Sequence, residues 1–300
     1  MTGKIWFITG SSTGFGRLVT ETALGHGDKV AATLRKPEML SGLSSKYSSS
    51  QLLVLKLDVT KSDEVKQAFS AAHAHFGRID VVFNNAGSIV LGSVEGTPDD
   101  MARNLFELNL WGAVNVTSTA VHYFREFNKP ARRTFDTELV ALWHIGLSPH
   151  WDLLWHEARD GGHNRGSRRR SRPELEYKGQ HSCRTSCPYL ARFLMLLCVQ
   201  VTLLEPGSFY TGGHGRGDLA PPHPAYKQPD MSKMLSGEGM SDPVKGVEII
   251  YRLASLPNPP LHLPLGPDAV ATFNDKAKRL LEATEAYASW SEGLELEPKL

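Results

Sequence analysis

The groups best placed to do chemistry lie in one short run, Thr9-Gly10-Ser11-Ser12-Thr13-Gly14-Phe15-Gly16. Its glycines leave backbone N–H groups uncovered by side chains, and such groups bind anions. Gly10 permits a tight turn, and a glycine at 14 or 16 lets a pyrophosphate approach the main chain. The run follows a β-rich stretch, Lys4 to Thr9, and precedes a helical pattern from Arg17 to about His26. Strand, glycine turn and helix in that order give the motif its meaning. The helix N-terminus then adds unpaired N–H groups and a partial positive charge. Thr9, Ser12 and Phe15 are therefore candidates, beside Gly10, Gly14 and Gly16, for cradling a dinucleotide. A second strand, Lys29 to Leu34, ends in Arg35-Lys36. That end faces the adenosine ribose in a dinucleotide fold, where an acid would accept the 2′-hydroxyl and arginine suits a 2′-phosphate. No acid stands there, so NADP(H) is favoured over NAD(H).

These residues need a scaffold, and the next hundred residues supply one. Leu52 to Leu57 reads as a third buried strand, followed by Asp58-Val59 with Asp58 placed to meet the adenine edge. Ser62 to Phe76 is an amphipathic helix with Ser62 as N-cap and acids at 63 and 64. Ile79 to Phe83 is the fourth strand, ending in Asn84-Asn85-Ala86-Gly87. Strands alternating with helices predict an α/β fold with a parallel, doubly wound sheet. Ligand then binds at the carboxyl ends of the strands, where these turns collect.

Taken in order, Thr9-Gly10-x-x-x-Gly14-x-Gly16, Asp58-Val59, Asn84-Asn85-Ala86-Gly87 and Asn109-Leu-Trp-Gly112 resemble the classical short-chain dehydrogenase/reductase family. The resemblance implies a Rossmann-like fold that interconverts a hydroxyl and a carbonyl on a small, apolar substrate. It implies that Asn85, Ala86 and Gly87 shape the cofactor site. It also implies that Asn109 belongs to a catalytic tetrad and holds a water in the proton relay. Val201 to Glu205 and the following Pro206-Gly207-Ser-Phe-Tyr-Thr211 are similar to the family's sixth strand and its turn. Pro206, Gly207 and Thr211 would there contact the nicotinamide end. Residues 212–240 lack periodicity and occupy the place of the family's substrate-covering loop. A helix opens at Ser241-Asp-Pro-Val-Lys with Pro243 in its first turn. Pro260 to Leu265 matches the last strand, and a C-terminal helix runs from about Asp268 to Trp290.

Residues 131–200 break the pattern. The family's chemistry calls for a serine on the substrate carbonyl, a tyrosine that moves the proton, and a lysine four residues later. A phenol titrating near 10 is a poor base at neutral pH, so the ammonium beside it makes the phenolate accessible. No Tyr-x-x-x-Lys occurs anywhere in the chain: Tyr177 is followed at once by Lys178, and Tyr189 meets Phe193. The block holds ten of the eighteen arginines but only one of the fifteen lysines. Its composition thus departs from the rest of the chain. Read one nucleotide later, the codons permitted for Leu153-Leu-Trp-His-Glu157 allow Tyr-Cys-Gly-Thr-Lys. Onward through Arg172 the same register allows His-Ala-Met-Ala-Ala-Ile-Thr-Glu-Gly-Leu-Ala-Glu-Glu-Val-Ala. The block is accordingly expected to be a frame-shifted translation, with little helix or strand, leaving a central gap where the fifth strand and its following helix belong.

The totals narrow the remaining classes. One domain spanning 1–300 is expected, with a nucleotide-binding half at 1–130, the anomalous block, and a substrate and C-terminal part at 201–300. A net charge of +1 gives no reason to expect nucleic acid or an anionic membrane, and the basic run Ser167-Arg-Arg-Arg-Ser-Arg172 lies in no recognisable binding module. His156, His163, Cys183 and Cys187 fit no standard zinc spacing, so no metal is expected. The N-terminus lacks the apolar stretch of a signal peptide, no run is long enough to span a bilayer, and a cytoplasmic setting is the default. The expected partner is a small alcohol or carbonyl compound. The resemblance also implies a homo-oligomer, which loss of the middle helix would work against.

Overall fold

The computed structural model describes residues 3–128, 200–211, 218–225 and 236–296, together with the backbone pairing of 139–143. Strand β1 (Ile5–Thr9) is buried along its whole length, and its alternation divides two cores. Trp6 and Ile8 enter one apolar cluster and Phe7 the other. In β2 (Lys29–Leu34), Val30, Ala32 and Leu34 join the first cluster and Ala31 the second. In β4 (Val81–Asn84), Val81 and Phe83 face one way and Val82 the other. Strands covered on both faces need near-continuous apolar sequence, and these strands supply it along most of their length.

Helices close each face. On one side lie α1 (Gly14–Gly25), which buries Phe15, Val19 and Ala23 at helical spacing, and α6 (Pro243–Leu253), which buries Val247 and Ile250. On the other lie α3 (Ser62–Phe76) and α5 (Ala113–Glu126), contributing Val65 and Phe69, Val116 and Ala120. Phe7 and Phe69 stack with ring centroids 4.0 Å apart at the centre of this second core. Removing either ring would cost about 3–5 kcal/mol. Between these elements come α2 (Ser41–Lys46), β3 (Leu52–Lys56), β5 (Val90–Leu91) and α4 (Asp99–Phe106). The later strands are β6 (Leu139–Trp143), β7 (Gln200–Pro206), β8 (Asp218–Leu219) and β9 (His262–Leu265), and α7 (Pro267–Tyr287) follows.

All pairings in the main sheet are parallel, and its order is β3-β2-β1-β4-β6-β7-β9. The order reverses between β1 and β4, so the turns after these two strands meet at the switch point where α/β sheets bind ligands. The expected central gap requires correction. Backbone from Leu139 to Trp143 pairs with β4 on one side and β7 on the other. Leu-Val-Ala-Leu-Trp is apolar throughout, as a central parallel strand requires. The helix expected to be lost after it falls outside the described residues.

Other differences are smaller. Helix α1 begins at Gly14, a turn earlier than Arg17, because glycine at the N-terminus lets the helix start inside the motif itself. Ser62 is the first residue of α3 and Lys61 the cap position, with no capping hydrogen bond from its side chain. Glu64 instead reaches back and accepts the Asp58 N–H at 2.8 Å. That bond is the main cause holding the Glu64 carboxyl below its ordinary value. Asp242 caps α6 by accepting the Val244 N–H at 2.8 Å, with Pro243 in the first turn as expected.

Candidate cofactor site

Two turns, after β1 and after β4, are locked together. The Thr9 hydroxyl accepts the backbone N–H groups of Asn85 and Ala86, both at 2.9 Å. The Asn85 amide returns a bond to the Thr9 carbonyl at 2.9 Å. This closeness dictates the glycines. A Cβ on Gly16 would lie 2.3 Å from the Gly10 carbonyl oxygen and 2.5 Å from the Asn85 amide nitrogen. Gly10 has φ +68° and Gly14 φ +56°, a region L-residues with side chains rarely adopt.

One hydroxyl of the motif is tied into the scaffold. Ser11 and Thr33 both donate to the Ile8 carbonyl, at 3.1 and 3.0 Å, and the Ser11 N–H bonds Thr33 O at 3.0 Å. Ser11 is fully buried and therefore structural. Ser12 is half-buried and Thr13 makes no capping bond to α1, whose first turn carries no acid. The N-terminus of α1 thus carries the partial positive charge that favours an anion.

The turn after β7 comes to the same place. Phe209 is buried edge to face against Phe15, with centroids 5.1 Å apart. Thr211 lies where a Cβ on Gly14 would come within 3.6 Å of its own Cβ. Pro206 ends β7. The turn is held by Gly207 N–H to Leu265 O at 2.8 Å and by Tyr210 N–H to Ser241 O at 3.1 Å. Just before it, Glu205 contacts His262 Nδ1 at 3.1 Å, and burial pushes its carboxyl above the ordinary value.

Arg35 is exposed at the end of β2, and its guanidinium makes no hydrogen bond or ion pair among the described residues. Arg17 reaches the same region: its Nε meets Glu21 at 2.5 Å and its Nη1 donates to Met39 O at 3.2 Å. Sequence reading passed over Arg17, although a basic residue directly after Gly16 was the available signal. Asp58 uses one carboxylate oxygen locally, accepting the Thr60 N–H at 3.1 Å and hydroxyl at 2.8 Å. Val59 is buried, and a Cβ on Gly112 would meet it at 2.7 Å. Asn84 was also passed over. Its amide donates to Ala113 O at 2.9 Å and Thr117 Oγ1 at 3.2 Å, fixing the end of β4 to α5.

Asn109 sits in a π-helical stretch, Glu107–Gly112, between α4 and α5. Both ends of its amide bond one residue: Nδ2 donates to Ser88 O at 2.8 Å, and Oδ1 accepts the Ser88 N–H at 3.0 Å. The side chain therefore anchors the backbone just beyond exposed Gly87. It bonds across the site and not along its own helix. Single π turns of this kind recur at functional sites. Tyr177, Lys178, Tyr189, the basic run 167–172 and the His and Cys pairs all lie outside the described residues. Among the described residues no three His, Cys, Asp or Glu gather as a metal site, and no helix is long and apolar enough to cross a membrane.

Known proteins share this arrangement. A family model described as short chain dehydrogenase matches residues 4–131. Oxidoreductase BOA17 of Botryotinia fuckeliana is 32% identical over 290 residues, covering 94% of this chain and 95% of the relative. An uncharacterized oxidoreductase, C162.03 of Schizosaccharomyces pombe, is 29% identical over 290 residues, covering 95% of this chain and 89% of its own. A crystal structure of a short-chain dehydrogenase from Streptomyces avermitilis superposes with a TM-score of 0.74 at 25% identity, covering 98% of this chain and all of that one. The motifs, the parallel sheet and these relatives agree: the chain belongs to the short-chain dehydrogenase/reductase family.

Proposed function

We propose that this is a short-chain oxidoreductase scaffold that holds NADP(H) but, with this sequence, does not turn it over. The observation that carries the binding half is the interlock of Thr9, Gly10 and Gly16 with Asn85 and Ala86. Only glycine allows it: a Cβ at Gly10 or Gly16 would collide with the main chain or with the Asn85 amide. Gly10, Ser12, Gly14 and Gly16 would hold the pyrophosphate, Asp58 and Val59 the adenine end, and Pro206, Gly207 and Thr211 the nicotinamide end. Arg35 would pair with the 2′-phosphate, which is why NADP(H) is preferred to NAD(H).

When bound, the cofactor carries the hydride; the protein must move the proton. The family reading makes the substrate a small, apolar alcohol or carbonyl compound. Part of the segment 212–240 is docked on the domain: β8 pairs with β5, and Ala220 lies against Gly92. Asn109 would be the surviving member of the tetrad, acting from its anchorage on Ser88. A phenol with an ammonium four residues on is absent from all 300 residues, so the proton has no route. The same absence is what makes the reading a non-catalytic dinucleotide-binding protein in place of a working oxidoreductase.

Incubating the purified chain with NADP+ and a panel of small alcohols, or NADPH and ketones, tests the proposal. No change in nicotinamide absorbance is expected, and measurable turnover overturns it. The frame-shifted origin of 131–200 is tested by the transcript across codons 130–201. An inserted or missing nucleotide, or a retained intron, is expected, and uninterrupted in-frame codons end the idea.

A further inference from the structure

Asp268 lies outside the glycine, Asn-Asn-Ala-Gly and Pro-Gly motifs, yet it holds the turn that reaches the glycine loop. It stands in the first turn of α7, where a carboxylate is favoured by the helix dipole. Its Oδ2 accepts the Ser208 N–H at 2.6 Å. The neighbouring backbone makes room for the carboxylate by omitting side chains. A Cβ on Gly207 would lie 2.0 Å from its Oδ1, and one on Gly266 (φ +106°) would lie 3.0 Å away. Two glycines from separate strand ends thus converge on one carboxylate. Gly207 N–H to Leu265 O closes the other side of the junction. Ser208 in turn accepts the Ser241 N–H at 2.7 Å, and Phe209 and Thr211 carry the contact to Phe15 and Gly14.

We infer that Asp268 is a positioning residue for the nicotinamide half of the cofactor, an inference that rests on the cofactor reading above. A charge-assisted bond to a backbone N–H is short and strong, and it fixes the direction in which Gly207 and Ser208 present their main chain. The adenine half is bound by elements that Asp268 does not touch: α1, the end of β2 and the turn after β3. Loss of the carboxylate should therefore weaken the cofactor at one end only.

The experiment compares NADPH with 2′,5′-ADP, which lacks the nicotinamide half, by calorimetric titration of the full chain. Asp268→Ala is expected to weaken NADPH at least tenfold and leave 2′,5′-ADP within twofold of the unchanged protein. Asp268→Asn retains an oxygen that can accept the Ser208 N–H and is expected to recover most of the loss. Equal losses for both ligands would assign Asp268 to general stability and overturn the inference, as would an unchanged NADPH affinity. If the unaltered chain binds neither ligand, the cofactor reading itself fails and the inference with it. Binding of 2′,5′-ADP to Asp268→Ala shows in the same titration that the variant is folded.

Discussion

Phe15 and Phe209 meet edge to face, with centroids 5.1 Å apart, and this contact joins the glycine motif to the turn after β7. Gly246 allows it: a Cβ there would come within 2.7 Å of the Phe209 ring and 3.2 Å of the Phe15 ring. Three segments from opposite ends of the chain thus close one side of the cradle. An aromatic pair of this geometry is worth about 0.5–1.5 kcal/mol beyond its buried area.

Phe209→Ala should lower the free energy of unfolding by about 3–5 kcal/mol, read by urea denaturation. It should also weaken NADPH more than 2′,5′-ADP, because Thr211 loses its support. Phe209→Leu, which keeps most of the apolar volume, should lose less than half as much stability. Equal stability of all three proteins would contradict the packing described.

Gly16→Ala should abolish saturable NADPH binding. The added methyl would fall 2.3 Å from the Gly10 carbonyl oxygen, which is main chain and cannot step aside as a flexible side chain could. Overpacking of this kind costs about 1–3 kcal/mol in stability. Gly25→Ala, on the same helix with nothing within 4 Å, is the matched control and should leave binding unchanged.

Arg35→Ala should weaken NADPH about tenfold, about 1.4 kcal/mol, while NADH affinity stays the same. Parallel loss of both would place the arginine elsewhere than at the 2′-phosphate. No change in either would shift attention to Arg17, whose guanidinium already lies against Glu21 and the Met39 carbonyl.

Much of this was legible in the sequence because the signals are local. Gly10, Gly14 and Gly16 announce a turn that only glycine can make. The run Ile-Trp-Phe-Ile announces a strand with two covered faces. Three things were not legible. Ser62 looked like a cap, but it is the first helical residue, and Glu64 reaches back to the Asp58 N–H, a choice of rotamer that composition does not reveal. Asp268 was invisible because its partner, Ser208, is 60 residues away in sequence. The strand Leu139–Trp143 was discounted because the surrounding block is foreign in composition, although five apolar residues suffice to pair between β4 and β7.

Glu205 gives the fold a pH dependence. Burial, opposed by His262, raises its carboxyl above the ordinary 4.5, so in the folded chain the proton is held more tightly than in the unfolded one. The stabilisation is therefore fully present below the unfolded value and is lost as pH rises through the folded one. The stability of the unaltered chain relative to Glu205→Gln should fall as pH is raised from about 4 toward neutrality. A difference that grows over that range would reverse the assignment.

The cradle formed by Thr9, Gly10, Gly16, Asn85 and Ala86 is expected to bind cofactor in this chain. Titrating the purified 300-residue chain with NADPH, and following energy transfer from tryptophan to the nicotinamide, tests it most directly. A saturable signal that 2′,5′-ADP displaces is expected. A linear response with no saturation and no displacement, from protein shown by circular dichroism to be folded, would contradict it.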